Sequence, residues 1–150
     1  MTKQETLRKM RELGLMEARA LQTDAVGNVI TETQIIGREE AAPRFDPDKD
    51  YSGWPARSPV RDGGQVWLLL IPHNAAHYTG RPADLRALWG LAHTTDPAKA
   101  KPWVAPYGVS GLYQRGECCK VDSVVYRSTE DDNPYSPTDY PAWWEKVEVI

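Results

Sequence analysis

A chain of 150 residues, 26% of them charged and with a formal net charge of -3, has room for one ordinary domain or two small ones. It carries no basic excess that would favour nucleic acid or an anionic membrane. Its longest apolar run, Val66 to Ile71, is too short to span a bilayer, and Thr2 to Gln22 is charged throughout, so the expectation is a non-membrane chain made without a signal peptide.

Residues 1–24 predict a helix for assembly or attachment. Thr2 and Glu5 have the spacing of a capping box. Leu7, Met10, Leu13 and Met16, with Ala20 or Leu21 beyond, form an apolar stripe, and Gly14 weakens its middle by about 1 kcal/mol relative to Ala. Such a stripe can dock on its own domain, pair with copies of itself or bind a larger scaffold. Residues 25–50 read as a β-rich segment, 25–37 as a strand or hairpin with a Gly27-Asn28 turn, followed by a charged linker over 38–50 containing Pro43 and Pro47.

A first β-module is expected over 51–92. Val60 lies in a short strand, Asp62-Gly63-Gly64 supplies the turn, and Gln65 to Ile71 returns as a strand buried on both faces. A long loop over 72–84 follows, then a short helix or turn over Asp84 to Leu91 with Leu85, Leu88 and Trp89 inward. Residues 93–102 form a connector that Asp96-Pro97 and Pro102 keep irregular. A second module over 103–150 has strands at about 117–121 and 124–129 around an Asp122-Ser123 turn. Its last strand contains Trp144 to Val149, which alternates apolar and charged residues. The fold class expected is therefore mainly β with an N-terminal α-helix and two tandem small antiparallel β-modules.

The two modules share a pattern. The second reads Gly111-Leu-Tyr-Gln-Arg-Gly116-Glu, Val125-Tyr126-Arg127, Tyr135-Ser-Pro137 and Trp143-Trp144-Glu-Lys-Val147. The first carries a degenerate copy, Val66-Trp67-Leu68, Pro82 and Leu88-Trp89-Gly90-Leu91. Trp67 answers Tyr126, and Pro82 and Pro137 each precede a Trp by the same interval, which indicates a duplicated module.

Together with Lys101-Pro-Trp103-Val-Ala-Pro106, Asp131-Asp-Asn133 and Tyr140-Pro141, the second-module residues resemble carbohydrate-binding module family 5/12, the small chitin-binding-type domains, in the version found in tailed-phage and prophage tail-associated proteins. The likeness covers about 101–149 closely and 51–92 loosely. Cys118-Cys119 and Trp143 depart from the family pattern. The resemblance implies a short twisted antiparallel sheet and a non-catalytic role in binding polysaccharide or cell-wall glycan. It also implies a virion location among other virion proteins.

Sugars present faces of C–H bonds on which aromatic rings stack, while short polar side chains bond the hydroxyls. Tyr113, Tyr126 and Trp144 stand at framework positions. Trp143, Tyr135 and Tyr140 cluster around a Pro-rich loop near Asp131, Asp132 and Asn133, and Trp103 opens the module. The carbohydrate-binding candidates are accordingly Trp143, Tyr135, Tyr140, Trp103, Asp132 and Asn133. If Trp143 and Trp144 are neighbours on a strand, Trp144 faces inward and Trp143 outward.

His73 and His77 lack the Cys or Glu that would complete a metal set, so no metal and no cofactor are expected. The vicinal Cys118 and Cys119 read as reduced, half-buried thiols pointing to opposite faces. Adjacent carboxylates such as Asp131-Asp132 do not bracket a scissile bond, so an enzyme is not expected. The N-terminal stripe predicts a homo-oligomer, most simply a trimer, that multiplies weak glycan sites.

Overall fold

The computed structural model describes residues 2–149; Met1 and Ile150, the ends of the first and last expected segments, lie outside them. The chain is mainly β with an N-terminal helix and two sheets. Helix α1 (Lys3–Val26) starts as the sequence predicts: Glu5 N–H donates to Thr2 Oγ1 and Thr2 N–H to Glu5 Oε2, each at 3.1 Å. Every residue from Thr2 to Glu17 is exposed, and only at Leu21 and Ala25 does the helix bury its stripe.

The strand or hairpin expected over 25–37 is a correction. The first helix continues through Val26, and a second, α2 (Glu32–Gly37), follows. Thr31 and Gln34 form a second capping box, with Thr31 N–H donating to Gln34 Oε1 at 2.8 Å. The β-branched composition misleads here, because the cap starts a helix whose Ile35 and Ile36 are both fully buried against Leu21 and Ala25. The linker expected over 38–50 is also corrected. Phe45 is buried, its N–H donates to Arg61 O at 2.9 Å, and Arg61 N–H donates to Pro43 O at 2.8 Å.

The first sheet is antiparallel, in order β1 (Pro59–Asp62), β2 (Gln65–Leu69), β3 (Trp89–Leu91). Gly63 and Gly64 turn the hairpin with φ of 61° and 76°. All five residues of β2 are buried, because α1 and α2 cover Val66 and Leu68 on one face while Phe45, Tyr51 and Trp89 pack with Trp67 and Leu69 on the other. Residues 84–91 are not a helix: a turn through Leu85 and Leu88 delivers Trp89 into β3, with Leu85 and Leu88 inward as expected.

The second sheet is mixed, in order β4 (Lys101–Pro102), β5 (Cys118–Val121), β6 (Val124–Ser128), β7 (Trp144–Val147). The hairpin and its Asp122-Ser123 turn, with φ of 50° and 67°, fall where the sequence puts them. The connector does not stay outside the module. Strand β4 pairs parallel with β5, and Thr94 bridges Cys118, so the purely antiparallel expectation is corrected at this edge.

The two sheets are copies in hydrogen-bond detail. Trp67 and Tyr126 hold the middle of β2 and β6, and Leu69 pairs with Trp89 as Ser128 pairs with Trp144. Phe45 N–H donates to Arg61 O as Trp103 N–H donates to Lys120 O at 3.0 Å. The Tyr51 hydroxyl accepts from Asp46 N–H as the Tyr113 hydroxyl accepts from Val104 N–H. Arg57 N–H donates to Leu69 O, and Gly116 N–H to Ser128 O; both donors have positive φ, 76° and 92°. The first copy therefore begins near Pro43, not at Tyr51.

Candidate functional site

The loop between β6 and β7 is clipped at several points. Asn133 Nδ2 donates to Ser128 Oγ at 3.0 Å and to Trp143 O at 3.5 Å, while its Oδ1 accepts from Tyr135 N–H at 3.0 Å. Its backbone exchanges bonds with Tyr113 at 3.1 and 2.8 Å. Trp144 Nε1 donates to Tyr135 O at 3.0 Å, and Tyr140 N–H to Ser136 O at 2.9 Å. These bonds fold the Pro-rich segment back on itself.

The result gathers three of the predicted residues. Tyr135 and Tyr140 stack at 4.8 Å between ring centroids with planes 28° apart. Trp143 meets both edge-on, at 5.3 and 5.7 Å. Tyr135 and Tyr140 remain 42% and 43% exposed, and half-buried Trp143 ties the pair to the core formed by Tyr113, Cys119 and Trp144. Each tyrosine turns one face to its neighbour, so the cluster offers outer faces and edges rather than a flat run of coplanar rings.

The other predicted residues are placed differently. Asn133 is fully buried and cannot meet a ligand. Its turn recurs in the first module, where Asn74 Oδ1 accepts from Ala76 N–H at 3.1 Å. Asp132 is exposed but committed to Gln114, which it accepts from at 3.1 Å and donates to through its N–H at 3.1 Å. Asp131 accepts from Arg115 N–H at 3.0 Å, so both carboxylates staple loops together. Trp103 is half-buried against the Tyr113 core, at the position that Phe45 fills in the first copy. Trp144 is inward as expected, but Trp143 is not its strand neighbour. Trp143 ends a single 3-10 turn, Pro141–Trp143, and packs sideways onto the core.

The equivalent positions in the first module are aliphatic. Leu88 O accepts from Leu70 N–H as Trp143 O accepts from Thr129 N–H, and Leu85 N–H donates to Arg81 O as Tyr140 N–H donates to Ser136 O. The counterparts of Tyr135, Tyr140 and Trp143 are thus Ala76, Leu85 and Leu88. Sequence reasoning missed Gln114 and Ser128, the side chains that hold this loop. Their partners lie 18 and 5 residues away, without a local signal.

Several candidates for chemistry are accounted for by packing. His73 is buried against Trp89 and Tyr78 with Nδ1 at 2.8 Å from Ile71 O, and among the described residues no three His, Cys, Asp or Glu side chains converge as a metal set. Cys118 and Cys119 are free and, instead of half-buried, fully buried in two different clusters, on opposite faces as predicted. Burial pushes both thiols up, Cys119 to about 12. Among the described residues no helix is long and apolar enough to cross a membrane. No family model matches the chain, and no curated protein matches it in sequence.

Proposed function

We propose that this is a non-catalytic glycan-recognition protein of a tailed-phage virion, whose second module binds bacterial surface carbohydrate through Tyr135, Tyr140 and Trp143. The gathering of these three aromatics, two of them well exposed, on one loop is the observation that carries the reading. The module resemblance supplies the glycan and virion context. Outer tyrosine faces stack on sugar C–H surfaces, and the phenol hydroxyls bond the ring substituents. One such site is weak. Helix α1 projects with Leu7, Met10, Leu13, Leu15 and Met16 exposed, and its assembly into an oligomer, most simply a trimer, multiplies the sites.

A second reading has its own observation. The tyrosines stack on each other rather than lying side by side, and with the exposed apolar stripe of α1 this suits a structural virion adaptor that grips other proteins. The separating experiment is a glycan array and cell-wall pull-down with wild type and the Tyr140→Leu, Trp143→Leu double variant. The leucines already pack at the equivalent positions of the first module, so the fold should survive. We expect binding by wild type and its loss in the variant. Absence of wild-type binding, even when artificially multimerised, would move the assignment to the adaptor. A sedimentation mass of one chain at micromolar concentration would remove the oligomer.

A further inference from the structure

The first module carries a charged groove at its edge. The groove measures about 430 Å³, and its charged lining is Glu39, Arg44, Arg61, Asp62, Arg81 and Lys101. Four of these are cations and two are carboxylates, and both carboxylates are taken. Arg81 holds Asp62 through Nε to both oxygens at 3.0 Å and through Nη2 at 2.7 Å, while Lys101 Nζ reaches Glu39 Oε2 at 2.5 Å.

Arg44 and Arg61 remain. They pair directly across adjacent strand-like segments, where like charges destabilise. Arg61 spends only Nε, on Ala42 O at 2.8 Å. Its terminal amino groups and the whole Arg44 guanidinium have no acceptor among the described residues. The repeat shows that the frame does not require this. The counterparts of Arg44, Arg61, Asp62 and Arg81 are Pro102, Lys120, Val121 and Ser136, a neutral set but for one lysine. Nor does the turn require two glycines, since Asp122 and Ser123 adopt the same positive φ. Glycine at 63 and 64 leaves the groove wall without side chains.

We propose that this groove binds an anionic saccharide unit, through a carboxylate or phosphate group seated between Arg44 and Arg61. Guanidinium groups match either oxyanion with paired N–H donors. Further along, Arg81 and Lys101 are already paired with Asp62 and Glu39, so no free cation is left there for a second anionic group, and the remainder of the ligand is neutral and hydroxylated. The volume suits a sugar-sized unit. The inference does not depend on the aromatic cluster of the second module.

The test is an NMR titration of the full-length protein at low ionic strength, following the arginine Nε–H and the Gly63 and Gly64 amide signals. Glucuronate, glucose 6-phosphate, inorganic phosphate and neutral glucose are the probes. We expect saturable shifts with glucuronate or a phosphate probe, none with glucose, and affinity lowered at least about tenfold in Arg44→Gln. Arg44 holds no internal bond, so its replacement leaves the fold intact. The Arg44→Gln, Arg61→Gln pair should remove binding altogether, and Tyr140→Leu, Trp143→Leu should leave it unchanged. Response to glucuronate alone identifies a carboxylate ligand, and to the phosphates alone a phosphate ligand. Equal shifts with glucose, unchanged affinity in Arg44→Gln, or no shift with any probe would overturn the proposal.

Discussion

The two sheets share a frame and differ in what they attach to it. In both, a buried tyrosine caps the chain entering the edge and meets the first tryptophan of the last strand edge-on, Tyr51 with Trp89 and Tyr113 with Trp144, each at 5.3 Å. The other face differs. Val66 and Leu68 lie under the two helices, whereas their counterparts Val125 and Arg127 lie on a face where Arg127 pairs with Glu145 at 3.2 Å. The loops differ too, with Ala76, Leu85 and Leu88 against Tyr135, Tyr140 and Trp143, and so do the edges, with Arg44 and Arg61 against Pro102 and Lys120. Residues that hold the hydrogen-bond frame are kept in kind; the rest are free to specialise. The first module gives its broad face to the helices and keeps a charged edge. The second gathers aromatics on its loop.

The largest test of that equivalence is removal of the shared tryptophan. Trp89→Ala and Trp144→Ala should each cost about 3–5 kcal/mol in denaturant unfolding. Trp89→Ala should sit at the upper end, because Trp89 is fully buried and also packs on Phe45 and His73. A cost under about 1 kcal/mol for Trp144→Ala would mean that the second sheet does not share the core logic of the first.

A middle-sized effect separates framework from binding. Asn133→Ala removes the amide that joins Ser128, Trp143 and Tyr135, and should cost about 2–3 kcal/mol by leaving buried groups unpaired. Asn74→Ala, which loses the bond from Ala76 N–H and a long 3.4 Å contact with His77 at a half-buried site, should cost about 1 kcal/mol. Equal costs in thermal or chemical unfolding would show that the clip around the aromatic loop is not the stronger one.

Much of this frame was legible because it is local. The Asp62-Gly63-Gly64 and Asp122-Ser123 turns, the strands beside them, the Thr2 cap and the aromatic loop each sit within a few residues. The closeness of Tyr135, Tyr140 and Trp143 follows from the same short loop. The first third of the repeat was hidden because it keeps geometry while changing letters, with Phe45 for Trp103, Arg57 for Gly116 and Ser58 for Glu117. The helix at Thr31 was masked by β-branched residues that a cap and a tertiary contact override. Burial of Asn133 and the pairing of Arg44 with Arg61 depend on chain returns that no local pattern records.

A similarly small effect belongs to a single unlike pair, Ser58 and Glu117. Both close the same turn: Ser58 Oγ donates to Pro55 O, and Glu117 Oε1 accepts from Gln114 N–H. Only the second titrates. Burial, with Glu32 and Asp131 nearby, pushes the Glu117 carboxyl up to about 7 from its ordinary 4.5. Between those values the folded chain holds a proton that the unfolded chain has released, so stability falls as pH rises through that window. The loss should be about 1–2 kcal/mol, reduced by partial exposure of the group. His93 acts in the opposite direction. Burial holds its imidazole down at about 4 from 6.5, so its contribution is present above 6.5 and lost as pH falls toward 4. Stability measured by urea unfolding across pH 4 to 8 should therefore peak inside this range. Glu117→Gln keeps the acceptor for Gln114 and removes the charge, so it should flatten the alkaline limb and leave the acid limb of His93 in place. An alkaline limb unchanged in Glu117→Gln would put its origin in another group, with Glu32, also raised by burial, the next to replace.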